Sequence, residues 1–121
     1  MGDNRQPAGP DRLTITRSSV DGADVVTVRG EIDHDTGDPL RQALDISVGR
    51  SAPRVVVDLG GVTFMDSSGI NILIAAHHAA QAAGGWLRLA APTGSVLRTM
   101  RLVGLDTVIA CHPTLREALD A

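Results

Sequence analysis

Three features of the sequence predict a mixed α/β fold. Two β-rich runs flank Asp21-Gly22, a nearly unbroken β-branched run spans Val55-Val56-Val57-Asp58-Leu59, and strand-like and helix-like segments then alternate to the C-terminus. Leu13-Thr14-Ile15-Thr16 alternates with period two, and Val25-Val26-Thr27-Val28 follows the turn signal, so the domain is expected to open with a hairpin. Gly30-Glu31-Ile32-Asp33 closes the second strand. Asp35 or Thr36 is placed to cap a helix whose buried face carries Leu40, Ala43, Leu44 and Val48, and Pro39 falls in its first turn, where a missing N–H costs little. Gly49 and Pro53 end that unit.

The run from Val55 to Leu59 reads as a strand covered on both faces, as in the middle of a sheet flanked by helices. Gly60-Gly61 is expected to break it. Asp66 or Ser67 then caps a long helix from about Ser68 to Ala83, stopped by Gly84-Gly85. Trp86 to Ala90 reads as a strand and Ser95 to Val103 as a helix, with Val96, Leu97, Met100 and Val103 on one face. Thr107 to Ala110 is expected to be a last short strand, and Pro113 to open a terminal helix through Leu115, Ala118 and Leu119. The order β-β-α-β-α-β-α-β-α predicts a mixed sheet of about five strands with helices packed on it. Residues 1–11, rich in Gly, Pro and polar residues, read as a disordered tail before one domain at 12–121.

Composition narrows the function. The 121 residues are 43% hydrophobic but only 2% aromatic, so the core must be built from Val, Leu, Ile and Ala. The net charge is −3 and every basic residue is Arg, which gives no electrostatic footprint for nucleic acid and no basic amphipathic surface for a membrane. One cysteine, Cys111, excludes an internal disulfide and a multi-cysteine metal site. With no span-length apolar run and no signal pattern, the chain is expected to be cytoplasmic.

One segment carries chemistry. Phe64-Met65-Asp66-Ser67-Ser68-Gly69 lies where the buried strand hands over to the long helix. The first N–H groups of a helix are unpaired and its dipole is positive there, so an anion is tolerated. A phosphate on a cap serine would add nearly two negative charges and three acceptor oxygens beside Asp66, which a closely docked partner would meet as repulsion. Gly69, lacking a side chain, is expected to let a partner's backbone approach closely. Capping alone also explains Asp66 and Ser67, and local physics does not choose Ser67 over Ser68. Ile70, Ile72, Leu73, Ile74, Ala75 and Ala76 cover the helix on nearly every side, as expected of a helix that is deeply buried or that offers an apolar face to a partner. His77 and His78 point about 100° apart, so they cannot chelate one metal ion, and they read as surface or rim residues. His34, between Asp33 and Asp35, reads as part of a hydrated loop, and Cys111 as a small buried residue.

Phe64-Met65-Asp66-Ser67-Ser68-Gly69-Ile70, with the strand before it, resembles the signature of the STAS domain family, and more narrowly that of the bacterial anti-sigma factor antagonists of sporulation and general stress responses. Gly30-Glu31-Ile32-Asp33 is similar to the family's G-E-[IL]-D loop. Gly84-Gly85 and Leu102-Val103-Gly104-Leu105 follow in the same order, so the resemblance runs from about Leu13 to Leu119. It implies the STAS fold, with Ser67 phosphorylated by an anti-sigma factor that is also a serine kinase. The unphosphorylated form would bind that kinase and free its sigma factor, phosphorylation would end the binding, and a PP2C-type serine phosphatase would reset the switch. Asp33, Asp66, Ser68, Gly69 and Ile72 carry over as partner-binding residues. Asn71-Ile72-Leu73-Ile74 replaces the family's frequent L-G-x-L pattern, which changes the helix face offered to a kinase. No cofactor is expected in this chain: it has no Lys to complete a phosphate-cradling loop, and the kinase would bring ATP and Mg²⁺. No enzyme activity is expected either, since none of the four histidines accompanies a nucleophile motif. The alternative is a non-phosphorylated STAS scaffold, or a module that senses a nucleotide or small ligand.

Overall fold

Asp21 and Gly22 both adopt positive φ, 53° and 82°, and join Val20 to its cross-strand partner Ala23 as a two-residue turn. This backbone matches the right-handed twist of the strands it connects, which is why an Asp-Gly pair makes a hairpin. The computed structural model describes residues 12–121; the tail expected at 1–11 lies outside the described residues. The hairpin consists of β1, Leu13–Val20, and β2, Ala23–Ile32, paired antiparallel.

The remaining strands add in parallel. β3 spans Arg54–Met65, β4 Trp86–Ala90 and β5 Cys111–His112, and the sheet order β1-β2-β3-β4-β5 follows the chain. The crossovers are α1, Gly37–Val48, α2, Ser67–Ala82, and α3, Gly94–Leu102, and the chain ends in α4, Leu115–Asp120. Leu40 and Leu44 of α1, Leu73 and Ala80 of α2, and Val96 and Met100 of α3 enter one core with Val55, Val57 and Leu59 of β3. The opposite face holds a smaller cluster of Val56, Ala90 and Ala118, with Trp86, Leu115 and Leu119 packed against it. Val55, Val56 and Val57 are all fully buried, so the β-branched run is covered on both faces as its sequence requires.

Two expectations about strands are corrected. Gly60-Gly61 does not break β3: the strand continues to Met65 because it takes up one extra residue opposite Thr27–Arg29, and another opposite Gly30–Glu31, and so keeps pairing with β2. A Cβ on Gly61 would stand 2.6 Å from the Arg29 Cγ, so the glycine leaves room for the Arg29 stem beside the bulge. The expected strand at Thr107 to Ala110 is also displaced. Leu105–Thr107 forms a 3₁₀ turn, closed by the Thr107 amide on the Gly104 carbonyl at 3.1 Å, and the pairing with Leu89 and Ala90 falls on Cys111 and His112. Ile109 is fully buried in the main core, so an apolar run with strand-like composition was filled by a turn.

Helix α2 resolves toward burial. Ile70, Leu73 and Ala76 are buried, Ile72 and Ile74 pack on the core from its edge, and Ala75 is exposed. His77, expected at the surface, is instead only 9% exposed, while His78 is exposed. The spacing of residues 70, 73, 77 and 80 is that of one helix face, so His77 follows Ile70 and Leu73 inward.

Candidate functional site

The C-terminal ends of β2 and β3 lie side by side, with Ile32 in register with Met65. The chain leaves both strands at the same level: the Asp66 amide donates to the Ile32 carbonyl at 3.1 Å. Asp33 and Asp66 are thus the first residues past two neighbouring parallel strands, and α1 and α2 both begin at this end of the sheet. Gly37, at the start of α1, would carry a Cβ 2.8 Å from the Ile72 Cδ1, so the two helices approach closely here.

Asp66 caps α2. Its Oδ1 accepts from the Ser68 amide at 2.8 Å, and its carbonyl accepts from the Ile70 amide at 3.2 Å. With the cap assigned to Asp66, Ser67 is left in the first helical turn, exposed, in a turn that contains no acidic residue. Ser68 is half-buried and its amide is taken by the cap. Gly69 is buried, and a Cβ there would stand 2.7 Å from the Met65 Cγ and 2.8 Å from the Ile32 Cγ2. The reason expected for Gly69 is therefore corrected: its missing side chain makes room for the protein's own interior rather than for a partner's backbone.

The Asp33 loop is a hydrogen-bonded knot. Asp33 Oδ1 accepts from the amides of Asp35 and Thr36 at 2.9 and 3.0 Å, and its other carboxylate oxygen is paired with Arg12. The Thr36 hydroxyl accepts from the Asp33 amide at 2.9 Å and donates to the Glu31 carbonyl at 2.7 Å. Burial alone would raise the Asp33 carboxyl, but the two amides, the hydroxyl and Arg12 together outweigh it and hold it below the ordinary carboxylate value. Arg12 also reaches Glu31 at 3.4 Å. Thr36 stands at the start of α1 as expected, but its hydroxyl ties the loop instead of capping the helix. His34 is exposed and among the described residues pairs only with Asp35, at 3.3 Å, in keeping with a hydrated loop.

Of the expected site residues, Asp33, Asp66, Ser67 and Ser68 come together at this end. Gly69 supports them from inside, and Ile72 lies behind them at the α1–α2 contact. Sequence reasoning missed Phe64, which is 49% exposed beside Ser67's turn and lines a shallow groove with Thr63, Ser95 and Thr99. Its exposure could not be read from period-two alternation, because both Thr63 and Phe64 are exposed between the buried Val62 and Met65. Among the described residues, no group of three or more His, Cys, Asp or Glu side chains is placed to hold a metal ion, and no helix is long and apolar enough to cross a membrane.

This fold, with its strand-to-helix serine turn, defines a class, and comparison with known proteins agrees. The family model described as "Mlab, STAS domain" matches residues 15–116, and the chain belongs to the STAS domain family. It is 32% identical over 114 residues to the anti-sigma-F factor antagonist RsfB of Mycobacterium tuberculosis, covering 93% of this chain and 91% of that protein. The crystal structure of an anti-sigma factor antagonist from Mycobacterium paratuberculosis superposes with a TM-score of 0.83 at 37% identity, covering 92% of this chain and 94% of that one. The anti-sigma factor antagonist SpoIIAA in its unphosphorylated form superposes with a TM-score of 0.72 at 22% identity over 88% of this chain and 94% of that one, a likeness of fold.

Proposed function

We propose that this protein is an anti-sigma factor antagonist whose binding is switched at Ser67. In the unphosphorylated state it binds an anti-sigma factor that is also a serine kinase, and so releases the sigma factor. Phosphorylation of Ser67 ends that binding, and a PP2C-type phosphatase restores it. The chain acts in the cytoplasm as a binding protein, not as an enzyme.

The observation that carries this reading is the division of labour along Asp66-Ser67-Ser68-Gly69. Asp66 is used as a cap, Ser68 is half-buried against it and Gly69 is buried, so Ser67 is the residue that a kinase could reach. The names of the mycobacterial relatives point the same way. A phosphate on Ser67 would be tolerated by the free amides of the helix start, so the fold would survive. It would also stand near the carboxylates of Asp66 and Asp33, where Arg12 is already held by Asp33 and Glu31. Binding would then be lost through added charge at the docking surface rather than through unfolding. Asp33, Phe64, Ser68 and Ile72 are assigned to partner contact or to its support.

The test is to incubate the chain with ATP and a cognate anti-sigma factor kinase and to map the modified residue by mass spectrometry. Modification is expected at Ser67 and absent in Ser67→Ala. Ser67→Ala should bind the kinase constitutively, and Ser67→Asp should lose at least tenfold in affinity, about 1.4 kcal/mol, with an unchanged circular dichroism spectrum. Modification that persists in Ser67→Ala, or undiminished binding by Ser67→Asp, overturns the assignment.

A further inference from the structure

At the other side of the sheet's C-terminal end, where β4 and β5 run out beneath α3, a cleft of about 360 Å³ opens. The lining is mixed in a particular way. Pro92, Leu97 and Pro113 supply apolar surface, while Arg101 and Asp106 bring one positive and one negative charge. Among the described residues no ion pair joins Arg101 to Asp106, or either of them to another side chain.

Both charges are close to one sulfur. The Cys111 thiol is pushed above its ordinary value by burial and then by the Asp106 carboxylate, against the opposing pull of the Arg101 guanidinium. The thiol, lining the same cleft, is therefore neutral and repels neither end of a ligand. His112, in the same wall, keeps a buried Nε2 with no hydrogen-bond partner among the described residues.

We propose that this cleft binds a small zwitterion, an α-amino acid with a short apolar side chain. Its carboxylate pairs with Arg101, its ammonium group with Asp106, and its side chain lies on Leu97, Pro92 and Pro113. A simple anion would satisfy Arg101 but face the Asp106 carboxylate, and a simple amine would meet the reverse conflict. A phosphate brings close to two negative charges to a site with one guanidinium. At about 360 Å³ the cleft has room for an amino acid of this size. The site includes no residue of the Ser67 turn and stands whether or not Ser67 is phosphorylated.

The test is titration of the isotopically labelled full chain with L-leucine, followed by amide NMR. Two analogues that each keep one charge, 4-methylpentanoate and 3-methylbutylamine, are titrated in parallel. Leucine is expected to shift the amides of Arg101, Asp106, Cys111 and His112 saturably, and each analogue to bind at least tenfold more weakly, the loss expected when one charge-assisted contact is removed. Arg101→Gln and Asp106→Asn replace exposed side chains, so the rest of their spectra should match the wild type while leucine binding falls tenfold or more. Ser67→Ala should bind leucine as the wild type does. Cleft amides unmoved by leucine up to its solubility limit, an analogue as effective as leucine, or unchanged binding by both charge variants each overturns the proposal.

Discussion

Gly69 shows how much one absent methyl group decides. The side chain that would meet its Cβ on one side is Ile32, fully buried and β-branched, which cannot rotate away; Met65 on the other side can. Gly69→Ala is therefore expected to cost about 1–3 kcal/mol, the range for overpacking a filled interior. Denaturant melts would measure it, and a cost near zero would mean that α2 is free to lift from the strand ends. His77 makes a second residue-scale prediction. Its imidazole is held below its ordinary value, first by burial and then by His78, so the folded state favours the neutral ring. On acidification the unfolded chain takes up this proton first, near the ordinary imidazole value of about 6.5. The stability contributed by the neutral ring is thus complete above that pH and declines as pH falls through it toward the lower folded value. His77→Leu should flatten the dependence of melting temperature on pH between about 7.5 and 5.5; a wild-type slope in the variant would assign the effect elsewhere. Of the two roles, that of Gly69 was not legible in the sequence, while that of His77 lay in its spacing and was passed over. Glycine at a helix start suits an opening as well as a tight contact, and His77 and His78 differ only in which one shares a face with Ile70 and Leu73.

At the scale of elements, the strand-to-helix turn has one cap, and it is Asp66. Its carboxylate takes the Ser68 amide while its own amide is tied to the end of β2, so the cap also fixes where α2 starts relative to the Asp33 loop. Asp66→Ala should lower stability by about 1 kcal/mol, the usual worth of such a cap. Because the same bond orients the first turn, the rate at which a kinase modifies Ser67 should fall as well. Equal stability in Asp66→Ala and wild type would show that the cap is redundant. These elements were largely legible. Trp86–Ala90 and the hairpin around Asp21-Gly22 were marked by β-branched or alternating runs with turn residues at their ends. The long α2 was marked by its glycine stop. Two were not: β3 continues through Gly60-Gly61 by bulging against β2, and β5 begins at the residue just after the apolar run that suggested it. Both outcomes depend on pairing with another strand, which a local pattern does not contain.

Seen whole, the molecule separates its functions from its core. The strands and three crossovers put Asp33, Asp66 and Ser67 at one end of the sheet, past the ends of β2 and β3, and the Arg101–Asp106 cleft at that same end, past β4 and β5. The order of strands and helices, and so this arrangement, followed from the alternation of the sequence. The choice between Ser67 and Ser68 did not, and rests on family likeness; of the two, Ser67 is the more exposed. The two margins of the sheet are unequal. β5 is two residues long, whereas β1 offers eight, and the outer side of β1 meets no further strand among the described residues. Strand-to-strand addition between copies thus has a single place to occur. An aggregate that grows by adding strands needs two such places per molecule, one to join and one to be joined. Self-association through the sheet would stop at a symmetric pair, and sedimentation velocity at high concentration should find dimers at most, never an open-ended series.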